Sequence, residues 1–196
     1  ATVLMKNTFK DLNNEDLGKI TSQVVALSKR TNTEYTENIR AADYLMKAFG
    51  LSNQEAFDMI ASGYKNGLNA SNDYTDTIVE YSGTVKEAGY TQEEFFSMLD
   101  SGLKNGARNT DLIADSRVEF GKKLAAGDYE EMIGGMSAET QNMFNEYKNG
   151  NATVSDVMTS VQSEMKKMSP AQQQEALTKL GSQFEDLGIK GFLGLN

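Results

Sequence analysis

The 196-residue sequence contains no cysteine, no histidine and a single proline, Pro170. Each absence removes a class of chemistry. Without cysteine there are no disulfides, zinc-thiolate sites or thiol nucleophiles. Without histidine the commonest general base and the commonest metal ligand are both missing. Neither a Ser-His-Asp arrangement nor a His-ligated zinc or iron centre can be built from this chain alone. One proline in this length lets helices run unbroken and argues against a proline-rich linker. No apolar run reaches the ~18 residues that a membrane span requires. The chain opens at Ala1, has its first methionine at Met5, and shows no basic stretch leading into an apolar one of the secretory kind. Such an opening is expected of a fragment of something longer.

Acidic residues number 28 against 19 basic ones, a net charge of −9. A polyanion is repelled overall by such a chain, and sequence-independent nucleic-acid binding draws on Lys and Arg contacts to phosphate. The basic positions Arg40, Lys122-Lys123 and Lys166-Lys167 are interspersed with acids and read as solvated helix faces.

What is present is dense helical patterning. Asn14 is expected to cap a helix running to about Arg30, with Leu17, Ile20, Val24 and Leu27 at three- to four-residue spacing. Thr33 is expected to cap a second, through Ile39, Ala42, Leu45, Met46 and Phe49, stopped by Gly50. Ser52 with Glu55 and Thr91 with Glu94 form capping boxes, in which each side chain satisfies the other residue's free backbone N–H. Thr153 with Asp156 is a looser version, and Ser169-Pro170 reads as N-cap plus first helical residue. Further helices are expected over about 137–148, 154–168 and 170–181, after a break at Gly134-Gly135. No period-two strand is convincing, since Val24-Val25 and Ile78-Val79 sit inside helical patterns.

The most informative feature is an internal repeat. Residues 50–82 align without gaps on 89–121, an offset of 39, with twelve of 33 positions identical. Phe57, Met59, Ser62, Gly63, Lys65, Asn66 and Gly67 become Phe96, Met98, Ser101, Gly102, Lys104, Asn105 and Gly106. A degenerate third copy starts near Ser137, carries Lys148-Asn149-Gly150, and is about two residues short in its first helix. Each unit reads as cap, helix, Asn-Gly break, second helix; glycine suits a left-handed C-cap because it has no Cβ to clash there. The first helix is expected to bury Phe57, Ile60 and Tyr64, matched by Phe96, Leu99 and Leu103. The second presents Tyr74, Ile78, Tyr81 and Val85, matched by Ile113, Arg117, Phe120 and Leu124. Arg117 interrupts that stripe, so either the stripe rotates toward Val118 or Arg117 snorkels at its edge. Gly63 and Gly102 fall inside first helices, where glycine costs about 1 kcal/mol against alanine, and their recurrence points to close helix-helix approach rather than fraying.

A helix pair this small cannot cover its own apolar faces, which is the logic of stacked helical repeats. The expected fold is therefore all-α: a multi-helix domain of short helices containing a tandem, helix-turn-helix-like repeat with solenoid-like stacking. N-terminal helices take 1–50, the repeat 51–127, and the degenerate copy with C-terminal helices 128–196, as one continuous domain. The end of the chain, Phe184 to Leu195, is apolar with Gly188, Gly191 and Gly194 evenly spaced. It can touch a membrane, pack internally, or continue into further sequence; the last is favoured.

Chemistry-bearing patterns are weak. Asn69, Ser71, Asp73 and Thr75 alternate oxygen donors like a calcium loop with Glu80 at the closing position, but the turn-making glycine is missing. Asp11, Asn13 and Glu15 fail similarly, with Ser22 at the twelfth position. The pairs Glu93-Glu94 and Glu130-Glu131 could serve a glycosidase, yet first-turn acids are what the helix dipole favours. Nucleotide-binding glycine motifs are absent. A helix-turn-helix DNA reader would use 73–87 and 110–125 as recognition helices, but Arg117, Lys122 and Lys123 there are opposed by Asp76, Glu80, Glu87, Asp111, Asp115 and Glu119. The ten methionines read mostly as core filler. No catalytic, cofactor-binding or metal-ligating residue is assigned.

The ordered series Ala41 through Ser52, Gln54 through Ile60, Lys65-Asn66-Gly67-Leu68, Glu80-Tyr81, Lys86 through Tyr90 and Glu93 through Phe96 resembles the phage tail tape measure proteins. Asn109 through Asp115, Val118 through Gly121 and Phe184 through Gly188 continue the likeness, which covers roughly 10–190. The resemblance implies a non-enzymatic virion protein in the tail-tube lumen. Its length sets that of the tail, it is made in the host cytoplasm, and it is implicated in DNA delivery. Implied partners are further copies of itself and tail proteins: tail tube, tail assembly chaperones and tail tip. No specific nucleic-acid binding, cofactor or membrane span is implied for this segment. Family members are mostly long, thin helices, whereas the clustered glycines here predict a compact domain. From the residues alone, a helical adaptor binding a peptide in a repeat groove is the alternative, and a DNA-binding repeat a more distant one.

Overall fold

The computed structural model describes residues 2–10 and 12–195. Among these the chain forms twelve helices and no strand. It divides into two compact units, 1–83 and 84–196, with the boundary inside a helix.

The first unit holds α1 (Thr2–Thr8), α2 (Asn14–Thr31), α3 (Tyr35–Phe49), α4 (Asn53–Lys65) and most of α5 (Tyr74–Glu87). Helices α1 to α4 pack on one another around Met5, Phe9, Leu17, Ile20, Val24, Ile39, Leu45, Phe57 and Ile60, all buried. The Phe9 and Phe57 rings meet edge to face at 6.0 Å. Asn13, one residue before the expected Asn14, caps α2 by accepting from the Asp16 amide. Thr33 does not cap α3; Glu34 is the N-cap and makes no side-chain cap bond. The Thr33 hydroxyl is spent inward, accepting from Asn38 Nδ2 at 2.9 Å. Asn38 is fully buried, donates also to the Ser28 hydroxyl at 3.0 Å and accepts from the Tyr64 hydroxyl at 2.9 Å, so one amide ties α2, α3 and α4. A buried amide is stable only when satisfied in this way.

The second unit holds the rest of α5 with α6 (Gln92–Lys104), α7 (Thr110–Ala126), α8 (Glu130–Gly134), α9 (Ala138–Lys148), α10 (Val154–Met165), α11 (Pro170–Leu180) and α12 (Ser182–Leu193). Helix α12 packs against α6, α7, α10 and α11. The rings of Tyr129, Phe120, Phe184 and Phe192 follow one another at 5.1, 6.3 and 5.4 Å through this core. The apolar end of the chain is thus a packing element, with Phe184, Leu187, Phe192 and Leu195 buried. A single residue, Gly181, joins α11 to α12 at φ 120° and ψ 173°, a conformation that only glycine adopts without strain.

The two repeat copies, one in each unit, fold alike. Both first helices open on the expected capping boxes, and Thr153 with Asp156 completes a third in full rather than in looser form. Each Asn-Gly break is a Schellman-type stop: Gly67 and Gly106 have φ 83° and 98°, and the amides of Leu68 and Ala107 return to the carbonyls of Gly63 and Gly102 at 3.0 Å. The third copy repeats the stop at Gly150 after α9, which at 11 residues is two shorter than the 13 of α4 and α6.

Gly63 and Gly102 are places of close approach. A Cβ on Gly63 would lie 1.9 Å from the Tyr74 hydroxyl, and one on Gly102 would lie 2.5 Å from Ile113 Cδ1. Tyr74 and Ile113 are equivalent repeat positions, each fully buried at the start of a second helix. The Tyr74 hydroxyl donates to the Met59 carbonyl at 3.3 Å, so the ring cannot simply swing away.

Several expected placements are corrected: Tyr64 and Leu103, expected inside, are only half-buried. Phe96 is only half-buried, and Phe95 beside it is the fully buried ring, with Met98 and Leu99 completing that face. Position 95 corresponds to Ala56, so the second copy buries a ring where the first has a methyl, and turns its helix face to do so. Arg117 neither snorkels nor is bypassed by rotation: it is 3% exposed, and Ile113, Val118 and Phe120 are buried with it because α7 is enclosed on most sides.

Gly63→Ala and Gly102→Ala should each lower stability by about 1–3 kcal/mol, the usual cost of overpacking. Gly83→Ala, in an exposed helical turn with nothing within 4 Å of its Cβ, should raise stability by about 0.5–1 kcal/mol. Phe95→Ala should cost about 3–5 kcal/mol and Phe96→Ala clearly less. Denaturant unfolding of the five variants checks the signs and the order.

Candidate functional site

The carboxylates and loop oxygens picked out by sequence are occupied structurally. Glu94 accepts from the Thr91 amide at 2.7 Å as half of a capping box. Glu130 and Glu131 open α8, and Glu130 lies 3.7 Å from Lys148. In the loop 69–73, Asn69 Oδ1 accepts from the Tyr74 amide at 3.3 Å, and Thr75 is buried inside α5. Asn13 is the α2 cap and Glu15 pairs with Lys19 at 2.8 Å; Asp11 lies outside the described residues. Among the described residues no group of three acidic, His or Cys side chains is placed to hold a metal ion. No described helix is long and apolar enough to cross a membrane.

The basic side chains expected on a DNA-reading helix are also committed. Arg117 is inside the protein, and Lys123 lies 3.7 Å from Glu119 while donating to the Leu180 carbonyl at 3.2 Å. Lys122 alone of the three is fully exposed on α7.

Groups with displaced titration mark candidate sites in general, and here the raised tyrosines and Asp115 owe it first to burial. Burial pushes the Tyr74 hydroxyl well up, with Tyr64 adding to it. Burial also raises Tyr129, whose hydroxyl donates to the Leu180 carbonyl at 2.9 Å. Asp115 is raised first by burial and then by the neighbouring charges of Asp111 and Glu119. None faces a nucleophile.

Sequence reasoning missed the buried polar centre of the second unit. The Arg117 guanidinium stacks 5.4 Å from the Tyr90 ring, donates to the Tyr90 hydroxyl at 3.2 Å and donates to the Leu195 carbonyl at 3.2 Å. Gln162, 1% exposed, donates to the carbonyls of Phe192 and Leu195 at 2.7 and 2.9 Å. The cation is met by the Tyr90 ring face and by the Leu195 carbonyl, just past α12, a helix whose backbone is broken at Gly188 (φ 74°, ψ 163°). The polar interruption at Arg117 was visible in sequence. Its partners were not, because they lie 27 and 78 residues away.

A second long-range polar contact caps α9 from α10. Glu164 accepts from the Ser137 hydroxyl, from the Ser137 amide at 3.0 Å and from the Thr140 hydroxyl at 3.1 Å. The Ser137 hydroxyl bond is the largest influence holding its carboxyl below the usual range, with the Ser137 amide, Thr140 and Lys167 contributing, against a smaller effect of burial.

Concave surface exists in both units. In the second, a groove of about 360 Å³ has Met132, Met136 and Met168 along its floor and Asp128, Glu131 and Glu175 beside them. In the first, a groove of about 800 Å³ lies between the ends of α2 and α4 and the loop that follows.

Short capped helices, glycine-seated packing and polar groups spent on caps define an all-helical protein with open grooves on its surface. The match to known families agrees. Residues 2–181 match the family described as phage-related minor tail protein, and the chain belongs to that family, a structural component of a phage tail. Searches of curated proteins and of solved structures found no match.

The Glu164 cap carries a pH dependence of definite sign. A carboxyl held below its ordinary value when folded contributes stability that is present above the unfolded value near 4.5 and is lost as pH falls through the folded one. Thermal unfolding from about pH 5 to pH 3 should therefore show an acid limb that is shallower in Glu164→Gln. An identical limb in both proteins would remove Glu164 from the account.

Proposed function

We propose that the chain is a segment of a tail tape measure protein, lying in the tail-tube lumen, helping to set tail length and taking part in DNA delivery. The observation that carries this reading is the family match over residues 2–181 of an all-helical chain whose ordered run, from Ala41 to Gly188, resembles the tape measures. The lack of cysteine and histidine supports a role with no reactive centre, cofactor or metal. In this reading the chain is synthesised in the host cytoplasm and meets other copies of itself, tail tube, assembly chaperones and tail tip through its surfaces. The tandem repeat over 51–127 is its unit of construction, within one continuous segment.

In-frame duplication of the segment within its phage genome tests the reading. A continuous helix adds about 1.5 Å per residue, so tails measured by electron microscopy should lengthen, by less than that limit if the added copy stays compact. Infectious particles with tails of unchanged length would overturn it.

A further inference from the structure

The groove of the first unit is a cationic site in an acidic protein. Arg30 at the end of α2 and Lys65 at the end of α4 both line it, with the amides of Asn69 and Asn72 and an apolar wall from Leu27 and Ala61. No carboxylate lines it, although the chain carries a net −9. Among the described residues neither Arg30 nor Lys65 has an acidic side chain within 4.0 Å, and both are exposed.

The repeat supplies an internal control. Lys65 and Lys104 occupy the same position of the Lys-Asn-Gly element. In the second copy Asp100, one turn earlier, holds Lys104 at 2.5 Å. The residue equivalent to Asp100 in the first copy is Ala61, so Lys65 has no acid to hold it within its helix and the alanine methyl becomes groove wall. In the third copy Lys148 again has an acid near, Glu130 at 3.7 Å. Last-turn cations are favoured by the helix dipole wherever they occur. That accounts for a lysine at the end of each helix but not for two unneutralised cations from different helices sharing one groove.

We propose that this groove binds an acidic segment of a partner protein, with Arg30 and Lys65 pairing its carboxylates. A guanidinium fork matches a carboxylate with two parallel hydrogen bonds, the lysine ammonium adds a point charge, and the Asn72 side-chain NH2 can donate to a peptide carbonyl. The volume of the groove, about 800 Å³, and its aliphatic wall suit a segment with apolar residues between its acids rather than a bare inorganic anion. This assignment does not depend on the tape measure reading; it stands on the groove alone.

Titration of the 196-residue chain with a short peptide of alternating glutamate and leucine tests it by NMR. The amides of Thr31, Asn69 and Asn72 should shift saturably, and more weakly at high salt. Arg30→Glu with Lys65→Glu should weaken binding by about tenfold or more, Arg30→Gln with Lys65→Gln by less, and Lys104→Glu not at all. Both cations are exposed, so circular dichroism should show the variants folded. Absence of saturable shifts, or equal affinity in the charge-reversed protein, would overturn the proposal. So would equally strong binding of inorganic phosphate or an oligonucleotide at these amides. A concentration-dependent dimer lost on charge reversal would instead give the groove to a second copy of this chain and would overturn the assignment to a separate partner.

Discussion

A side chain from the start of one helix rests on the bare backbone of a glycine in the helix before it, and the geometry of each repeat copy follows from that contact. Tyr74 on Gly63 and Ile113 on Gly102 bring the helices closer than any Cβ would permit. A tyrosine and an isoleucine occupy equivalent sites because the seat beneath them is the same. Close approach fixes where the intervening loop must stop and return, which is why Gly67 and Gly106 both sit in the left-handed region just beyond the helix ends. The glycine that admits the neighbour and the glycine that ends the helix serve one design, four residues apart.

Much of this was legible in the sequence because it is local. Capping boxes depend on residues three apart, and Ser52-Glu55 and Thr91-Glu94 placed their helices correctly, as did the adjacent N-cap and first-turn proline Ser169-Pro170. The recurrence of Gly63 at Gly102 showed that the glycine was a requirement of packing rather than a local weakness. What failed was rotational detail. Ring side chains at neighbouring positions, Phe95 and Phe96, differ by about a hundred degrees around a helix, and only the surrounding helices decide which one is covered. Thr33 failed as a cap because its hydroxyl satisfies a buried amide, a demand that originates elsewhere in the fold.

Arg117 shows the same limit at higher stakes. In the first copy its position is Ile78, fully buried and apolar. Replacing that isoleucine by a cation required a ring, a hydroxyl and a carbonyl in place to receive it, and all three come from outside α7. Buried charge costs a great deal unless it is met by polar partners; the two terminal nitrogens of Arg117 find acceptors while Nε does not, so the arrangement leans on the chain end just past α12. The grooves, by contrast, were illegible because concavity belongs to no single helix. The unneutralised state of Lys65 was nonetheless written in the repeat, as an alanine where the sister copy has an aspartate.

Helix α12 lies beyond the stretch that matches the family, which stops at residue 181, yet it supplies Phe184, Phe192 and Leu195 to the interior of the second unit. The matched stretch and the packed core therefore end at different residues of this chain. Cutting at the homologous border would strip the aromatic series from Phe120, open a cleft along α7 and α10, and strand the guanidinium of Arg117 opposite solvent. The last helix and the residues just after it thereby help to hold the second core shut.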